Sequence, residues 1–209
     1  MSLPPQYIQL SDSLIIGRGA HKITYHHPTE HNLCVKILFE KNDIDMQREL
    51  KYRRTRKQPS KLLPEYLGTI DTNLGTSYVF EKIYDFDNTL SLALDEYIKE
   101  LLIKMNELEI QKHIKSLLLS FQKLWFEEKI VTSNIELCNF MVQRKSPTEI
   151  RIRIVDNIGT PVLIPLAYYF DYFAVKRAQK YWQRFLNTLK ETFPSIITDT
   201  MLSELSNIR

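Results

Sequence analysis

The residues of this chain whose types and spacing could do chemistry fall in a fixed order. Gly17-Arg18-Gly19 comes first, then a lysine inside an apolar run, Leu33-Cys34-Val35-Lys36-Ile37-Leu38. A glutamate follows in Gln47-Arg48-Glu49-Leu50, and far downstream come Asn139 and Asp156-Asn157-Ile158-Gly159. Glycines without a Cβ let backbone N–H groups approach phosphate oxygens closely. Lys36 offers a point charge for α- and β-phosphates, and Glu49 is expected to hold it in an ion pair. Asn139 and Asp156 carry hard oxygens of the kind Mg²⁺ prefers. Gly159 lets the chain bend behind Asp156. Glu81, at the end of an apolar strand pattern, marks the hinge where backbone groups would meet an adenine ring. Positioning and charge neutralisation are what phosphoryl transfer chiefly demands.

Taken singly, each signal has an ordinary structural reading. A lysine in an apolar strand can snorkel, and an aspartate just ahead of a glycine is most often a turn. The elements expected around the motifs make the order specific. Residues 8–40 read as strands: Leu14-Ile15-Ile16 before the glycines, an alternating Lys22-Ile23-Thr24-Tyr25-His26, a turn at 28–32, and an apolar strand through Lys36. Residues 43–57 read as a helix, with Met46, Leu50 and Arg53 on one face and Asp43 and Asp45 near the positive end of its dipole. Strands over 66–70 and 77–81 complete an expected five-stranded sheet, and Asp85–Asn88 is the linker out of it. Beyond it the pattern turns helical. Ile98, Leu101, Met105 and Leu108 share one face, and Ile110, Ile114, Leu117, Leu118, Phe121, Leu124 and Trp125 form the strongest apolar stripe. A hairpin over 139–142 and 150–155 and a last helix over about 167–190 follow.

The expected class is therefore α+β, with residues 1–84 as an N-lobe of antiparallel sheet plus helix and 85–209 as a reduced helical C-lobe. In this order and spacing the motifs outline a protein-kinase-like nucleotide site. Composition agrees with a single domain, or one domain in two lobes: 209 residues, 44% hydrophobic and 25% charged. A net charge of +3 is too mild to imply nucleic acid or membrane binding. Cys34 and Cys138 are the two cysteines, far apart, which points to a reducing compartment. The start shows no signal peptide, and no apolar run approaches membrane-span length. A cytoplasmic location is expected.

The chain resembles the bacterial PhoP regulatory network protein YrbL family, which looks like a small, divergent branch of the protein-kinase-like fold. The resemblance covers about residues 10 to 190. It is carried by Gly17-Arg18-Gly19 with Tyr25, Cys34-Val35-Lys36-Ile37, Arg48-Glu49-Leu50-Lys51-Tyr52, Gly75-Thr76-Ser77-Tyr78-Val79, Ile130-Val131-Thr132, Asn139, and Asp156-Asn157-Ile158-Gly159 followed by Leu163-Ile164-Pro165-Leu166. The family name reflects regulation by a Mg²⁺-responsive two-component system in enteric bacteria. That name says when the protein is made, not what it does; Lys36, Glu49, Asn139 and Asp156 are what lead to the expectation of ATP or another nucleotide with Mg²⁺ as cofactors.

The departures from a kinase pattern concern transfer. Anchored on Asn139, the position of the general base holds Asn134, and an amide has no useful basicity. The position of the lysine that meets the γ-phosphate holds Glu136. Roughly 50 residues follow Asp156, and no Ala-Pro-Glu is among them. Three functions compete: a nucleotide-binding pseudokinase, an active atypical phosphotransferase or nucleotidyltransferase, and a scaffold whose pocket binds no nucleotide. Three further features have bland readings. His26, His27, Glu30 and His31 are a solvated loop rather than a metal site. Arg53, Arg54, Arg56, Lys57 and Lys61 are a solvated face, or else a docking patch for an acidic partner. Tyr168, Tyr169, Phe170, Tyr172, Phe173, Tyr181, Trp182 and Phe185 are mostly core, with any exposed members free to meet a protein partner.

Overall fold

The computed structural model describes residues 7–19, 21–39, 44–56, 58–162 and 164–206. Residue 40, Asp43, Lys57 and Leu163, which the sequence reading uses, lie outside the described residues. The fold is mixed α and β.

The first half is built on β1 (Tyr7–Ile8), β2 (Ile15–Arg18), β3 (Lys22–His26), β4 (Leu33–Leu38), β5 (Tyr66–Thr72) and β6 (Gly75–Glu81). Among the described residues they make a six-stranded sheet in the order β1-β5-β6-β4-β3-β2. The strand beyond the expected five is β1, a two-residue edge lying parallel to β5. Two residues carry no alternation to read, and β1 is fastened instead from outside: the Asn73 side chain accepts from Leu10 N at 2.7 Å and donates to Leu10 O at 3.0 Å. Alternation along the strands sorts the two faces. Ile23, Tyr25, Val35, Ile37, Ile70 and Val79 bury one face together with Ile8 and Leu10. Cys34 and Phe80 bury the other against Met46, and Lys36 shares the Cys34 face of β4.

Helix α1 (Ile44–Thr55) supplies Met46 and buries Met46, Glu49 and Tyr52 rather than the expected Met46, Leu50 and Arg53. A carboxylate takes an inward position because Arg53, one turn on, neutralises it, with Nη2 at 2.6 Å from Glu49 Oε1.

The second half contains α2 (Leu94–Lys104), α3 (Glu107–Glu127), α4 (Asp171–Thr192) and α5 (Asp199–Ser206) with a sheet of β7 (Leu92–Ala93), β8 (Phe140–Arg144) and β9 (Ile150–Ile154). The Asn106 side chain caps α3 by accepting from Glu109 N at 3.0 Å. That cap breaks the expected continuous face: Met105 falls between helices, and Met105 and Leu108 are exposed. The strong stripe of α3 is buried as expected except for Leu124, which is partly buried. Helix α4 starts later than expected, because Pro165 and a 3₁₀ turn at Leu166–Tyr168 precede it. Helix α5 was not expected. It docks by Met201 and Leu205, and Trp182 Nε1 donates to Leu205 O at 2.9 Å.

The larger core packs Phe121, Trp125, Phe140, Trp182 and Phe185 against one another, Phe140 and Phe185 with ring centres 4.8 Å apart. Fully burying each large apolar side chain stabilises by about 1.5–3 kcal/mol. Tyr52, Leu62 and Leu63 from the first half belong to this same core.

Candidate functional site

Lys36 stands mid-sheet, opposite Thr24 on β3 and Tyr78 on β6. It is only 6% exposed. Its ammonium is held by the Val155 carbonyl at 2.7 Å and by the Phe80 ring, 4.5 Å from Nζ to the centroid. Val155 immediately precedes Asp156, so β4 delivers its cation to the base of the Asp156 turn.

Asp156 meets a second cation from above. Lys22, the first residue of β3, forms an ion pair with Asp156 Oδ1. Asn157 N donates to the same oxygen at 2.8 Å. Among the described residues nothing donates to Oδ2. Burial by itself would raise the carboxyl's pKa, but Lys36, Lys22 and the Asn157 amide outweigh it and hold it below the ordinary aspartate range.

The turn beyond is fixed on every side. Asn157 adopts a left-handed φ of 59°, and its carbonyl accepts from Thr132 Oγ1 at 2.6 Å and Ser133 N at 2.8 Å. Gly159 donates to Val131 O at 2.8 Å and has a φ of 96°. A Cβ there would lie 2.6 Å from Tyr168 Oη and 2.8 Å from Arg48 Cγ. The expected bend behind Asp156 is present, and α1 and the 166–168 turn press on it.

Asn139 is brought alongside: Val155 N donates to Asn139 O at 2.9 Å. Its side-chain Nδ2 lies 3.5 Å from Glu136 Oε2, while Asn134 Nδ2 donates to Glu136 Oε1 at 2.7 Å. The Glu136 carboxylate thus sits between two amides. Asn134 Oδ1 accepts from Ile135 N at 2.9 Å, so this side chain is spent on loop structure.

Gly17 and Gly19 lie on the β2–β3 hairpin, closed by Gly19 N to Lys22 O at 2.9 Å. A Cβ at Gly17 would meet nothing within 4 Å, and at Gly19 only Lys22 O at 3.7 Å. The protein's own packing demands neither glycine, and the space over Gly17 is open.

Two expected contacts are not made. Glu49 pairs with Arg53 instead of Lys36, because Arg53 is one helical turn away and also anchors on Pro64 O at 2.6 Å. Glu81 turns its carboxylate to buried Arg153 at 2.7 Å and Glu65 N at 3.1 Å. The backbone N–H groups of Glu81 and Lys82 already donate to Glu65 O and Asn32 O. Glu81 therefore ties the end of β6 to β9, and neither its side chain nor its N–H is free for an adenine ring.

The other expectations divide. Among the described residues no group of three or more His, Cys, Asp or Glu is arranged to hold a metal. His27 Nδ1 instead accepts from Glu30 N at 3.0 Å and orders the turn. In the basic run, Arg53 is neutralised by Glu49 and Arg56 by Glu128 at 2.9 Å, leaving Arg54 and Lys61 exposed. Tyr181, Trp182 and Phe185 are core, whereas Tyr169, Phe170, Tyr172 and Phe173 are exposed together with Val162 and Ile164. Lys22 and Tyr168 were missing from the sequence reading of the site. Lys22 had a usable signal: it is the first residue of an alternating strand, three positions past Gly19.

The description "PhoP regulatory network protein YrbL" belongs to a family model that matches residues 8–190. The chain belongs to this family. Two similar relatives are "Uncharacterized protein YrbL" of Escherichia coli (strain K12) and the protein of the same name from Shigella flexneri. Each is 31% identical over 187 residues, covering 86% of this chain and 86% of the relative. Neither name states an activity or a ligand. The YrbL match contains every candidate residue from Gly17 to Asp156, while α5 lies beyond it. No helix among the described residues is long and apolar enough to cross a membrane.

The donors near Asp156 suit a hard divalent cation. Among the described residues, Asp156 Oδ2 accepts from none, and Asn139 Oδ1 has only the weak Cys138 Sγ contact at 3.9 Å. Mg²⁺ commonly takes one or two protein oxygens and completes its shell with water and phosphate.

Proposed function

We propose that this chain is a protein-kinase-like regulatory protein that binds a nucleotide with Mg²⁺ and lacks the base for ordinary phosphoryl transfer. The sheet and α1 form its N-lobe, and the helices with β7–β9 form a reduced C-lobe. The observation that carries the reading is the convergence of buried Lys36 and part-exposed Lys22 on the Asp156 turn. Cations placed around one carboxylate beneath a glycine hairpin are the arrangement a polyphosphate and its metal need. Asp156 and Asn139 would hold Mg²⁺. When bound, the ion would neutralise phosphate charge. Lys36 would orient the α- and β-phosphates, and Gly17 and Gly19 would let the hairpin backbone come close. Asn134, engaged with Glu136 and Ile135, accepts no hydroxyl proton, so the nucleotide would act as a signal read by a partner protein. The exposed aromatics at the start of α4 offer that partner a surface.

A second reading rests on Glu136. Its exposed carboxylate adjoins Asn139, which places an acid beside the expected metal position and would suit an atypical transferase.

The test is thermal melting with and without Mg²⁺–ATP. At about 100 times Kd, binding adds roughly 2.7 kcal/mol, or about 5–10 °C for a chain of this length. The shift should depend on the metal and vanish in Asp156→Ala and Lys36→Ala. An equal shift in those variants would reject the site, and no shift in the wild type would leave a scaffold. Sustained ATP turnover that depends on Asp156 and Glu136 would select the transferase.

A further inference from the structure

Lys22 is given no ligand of its own in the nucleotide scheme, where Lys36 meets the phosphates and Asn139 and Asp156 the metal, yet it pairs with Oδ1 of the carboxylate that scheme gives to the metal. Its backbone closes the glycine turn by accepting from Gly19 N. The ion pair therefore fastens the start of β3 to the Asp156 turn. Among the described residues, strand β2 is the last strand of its sheet and pairs with β3 alone. A divalent cation on Asp156 Oδ2 would stand beside the Lys22 ammonium on Oδ1 of the same carboxylate, where like charges repel, and Lys36 already adds positive charge close by. A lysine head on a flexible four-carbon stem can exchange partners.

We propose that Lys22 is an exchangeable counter-ion of the site. It holds the glycine hairpin on Asp156 until a divalent cation displaces it, and its freed ammonium then meets the nucleotide phosphates. The inference rests on the nucleotide-site reading above and adds a binding residue to it. If the hairpin is held closed for nine-tenths of the time, the cation's apparent affinity is about tenfold weaker than the open site's.

The test uses the full chain and Mn²⁺ as probe, its free concentration followed by electron paramagnetic resonance. Wild type, Lys22→Met, Lys22→Arg and Asp156→Asn are compared, with amide exchange over residues 15–26 as a second measurement. Lys22→Met should bind Mn²⁺ alone about tenfold more tightly than wild type. Its hairpin amides should exchange about tenfold faster without any ligand, and its affinity for Mg²⁺–ATP should fall. Lys22→Arg should keep the hairpin protected. If Mn²⁺ binds wild type and Lys22→Met equally and is lost in Asp156→Asn, the counter-ion role is wrong and the metal site stands. If no variant binds Mn²⁺, with or without ATP, the metal site is wrong and the counter-ion role falls with it. Unchanged hairpin exchange in Lys22→Met would also overturn the proposal.

Discussion

Gly159→Ala is the substitution whose effect can be worked most fully from the structure. Two costs combine. A non-glycine residue at a φ of 96° carries left-handed strain of about 1–2 kcal/mol. The new methyl would sit 2.6 Å from Tyr168 Oη, 2.8 Å from Arg48 Cγ and 3.2 Å from Arg48 O. Overpacking of that kind costs about 1–3 kcal/mol. Neither neighbour yields easily, since Tyr168 Oη accepts from Thr160 N at 2.8 Å and Arg48 lies within α1. The sum is about 2–5 kcal/mol, a large share of the roughly 5–15 kcal/mol of a folded domain. Melting should fall by about 4–20 °C. Two other glycines separate the costs. Gly68 has a φ of 115° with nothing within 4 Å of a Cβ, so Gly68→Ala should show strain alone, about 1–2 kcal/mol. Gly17 has neither problem, and Gly17→Ala should stay within about 0.5 kcal/mol. Urea unfolding midpoints for the three variants would test this ranking. If Gly159→Ala were no worse than Gly68→Ala, the account of the contacts with Tyr168 and Arg48 would be wrong.

Three further outcomes are expected. Tyr168→Phe should cost about 1 kcal/mol by losing the Thr160 bond and should partly relieve Gly159→Ala, which a double-mutant cycle in urea would reveal. Trp182→Ala should cost about 3–5 kcal/mol and free α5, whose Leu205 carbonyl it holds, so limited proteolysis should clip the chain near 199–206 first. Burial would raise the Glu81 pKa, but Arg153 and the Glu65 amide draw it below the ordinary value. Its contribution is therefore complete above the usual glutamate pKa of about 4.3 and lost as pH falls toward the lower folded value. Glu81→Gln should remove that part of the acid sensitivity of unfolding, and a variant that loses stability on acidification exactly as wild type does would contradict the pairing.

Some of this was written in residue types and some was not. Lys36 stood out because a charge interrupts an apolar strand, and the Asp156 turn because a glycine follows three residues on. Both features are local, so sequence carries them. The partner of Glu49 was not legible: Lys36 and Arg53 both suit a carboxylate, and only the orientation of α1 decides for Arg53. Glu81 reads as the hinge whose backbone groups would meet an adenine ring, and sequence carries no sign that its N–H is taken by Glu65 O and its carboxylate by a buried arginine 72 positions away. Lys22 was passed over because its polar character fits the alternation of β3, and its reach of 134 positions to Asp156 leaves no local trace. Helix α5 did leave one, Met201 and Leu205 at helical spacing, too short a pattern to stand without the bond from Trp182 Nε1 to the Leu205 carbonyl.

Arg153 ties the halves of the chain together in a way that bears on how it folds. Its guanidinium, only 3% exposed, reaches Glu81 on β6, Leu63 O before β5 and Gln143 on β8. None of these partners can be supplied by β9 alone. Withdrawing such a group from water is costly until all are in place, so the β8–β9 hairpin and the six-stranded sheet must desolvate it together. Cleavage of the backbone after Tyr84 would put the guanidinium in one fragment and its carboxylate in the other, with Tyr52, Leu62 and Leu63 stripped from the larger core. The two pieces would be obligate complements, folding on mixing and not before.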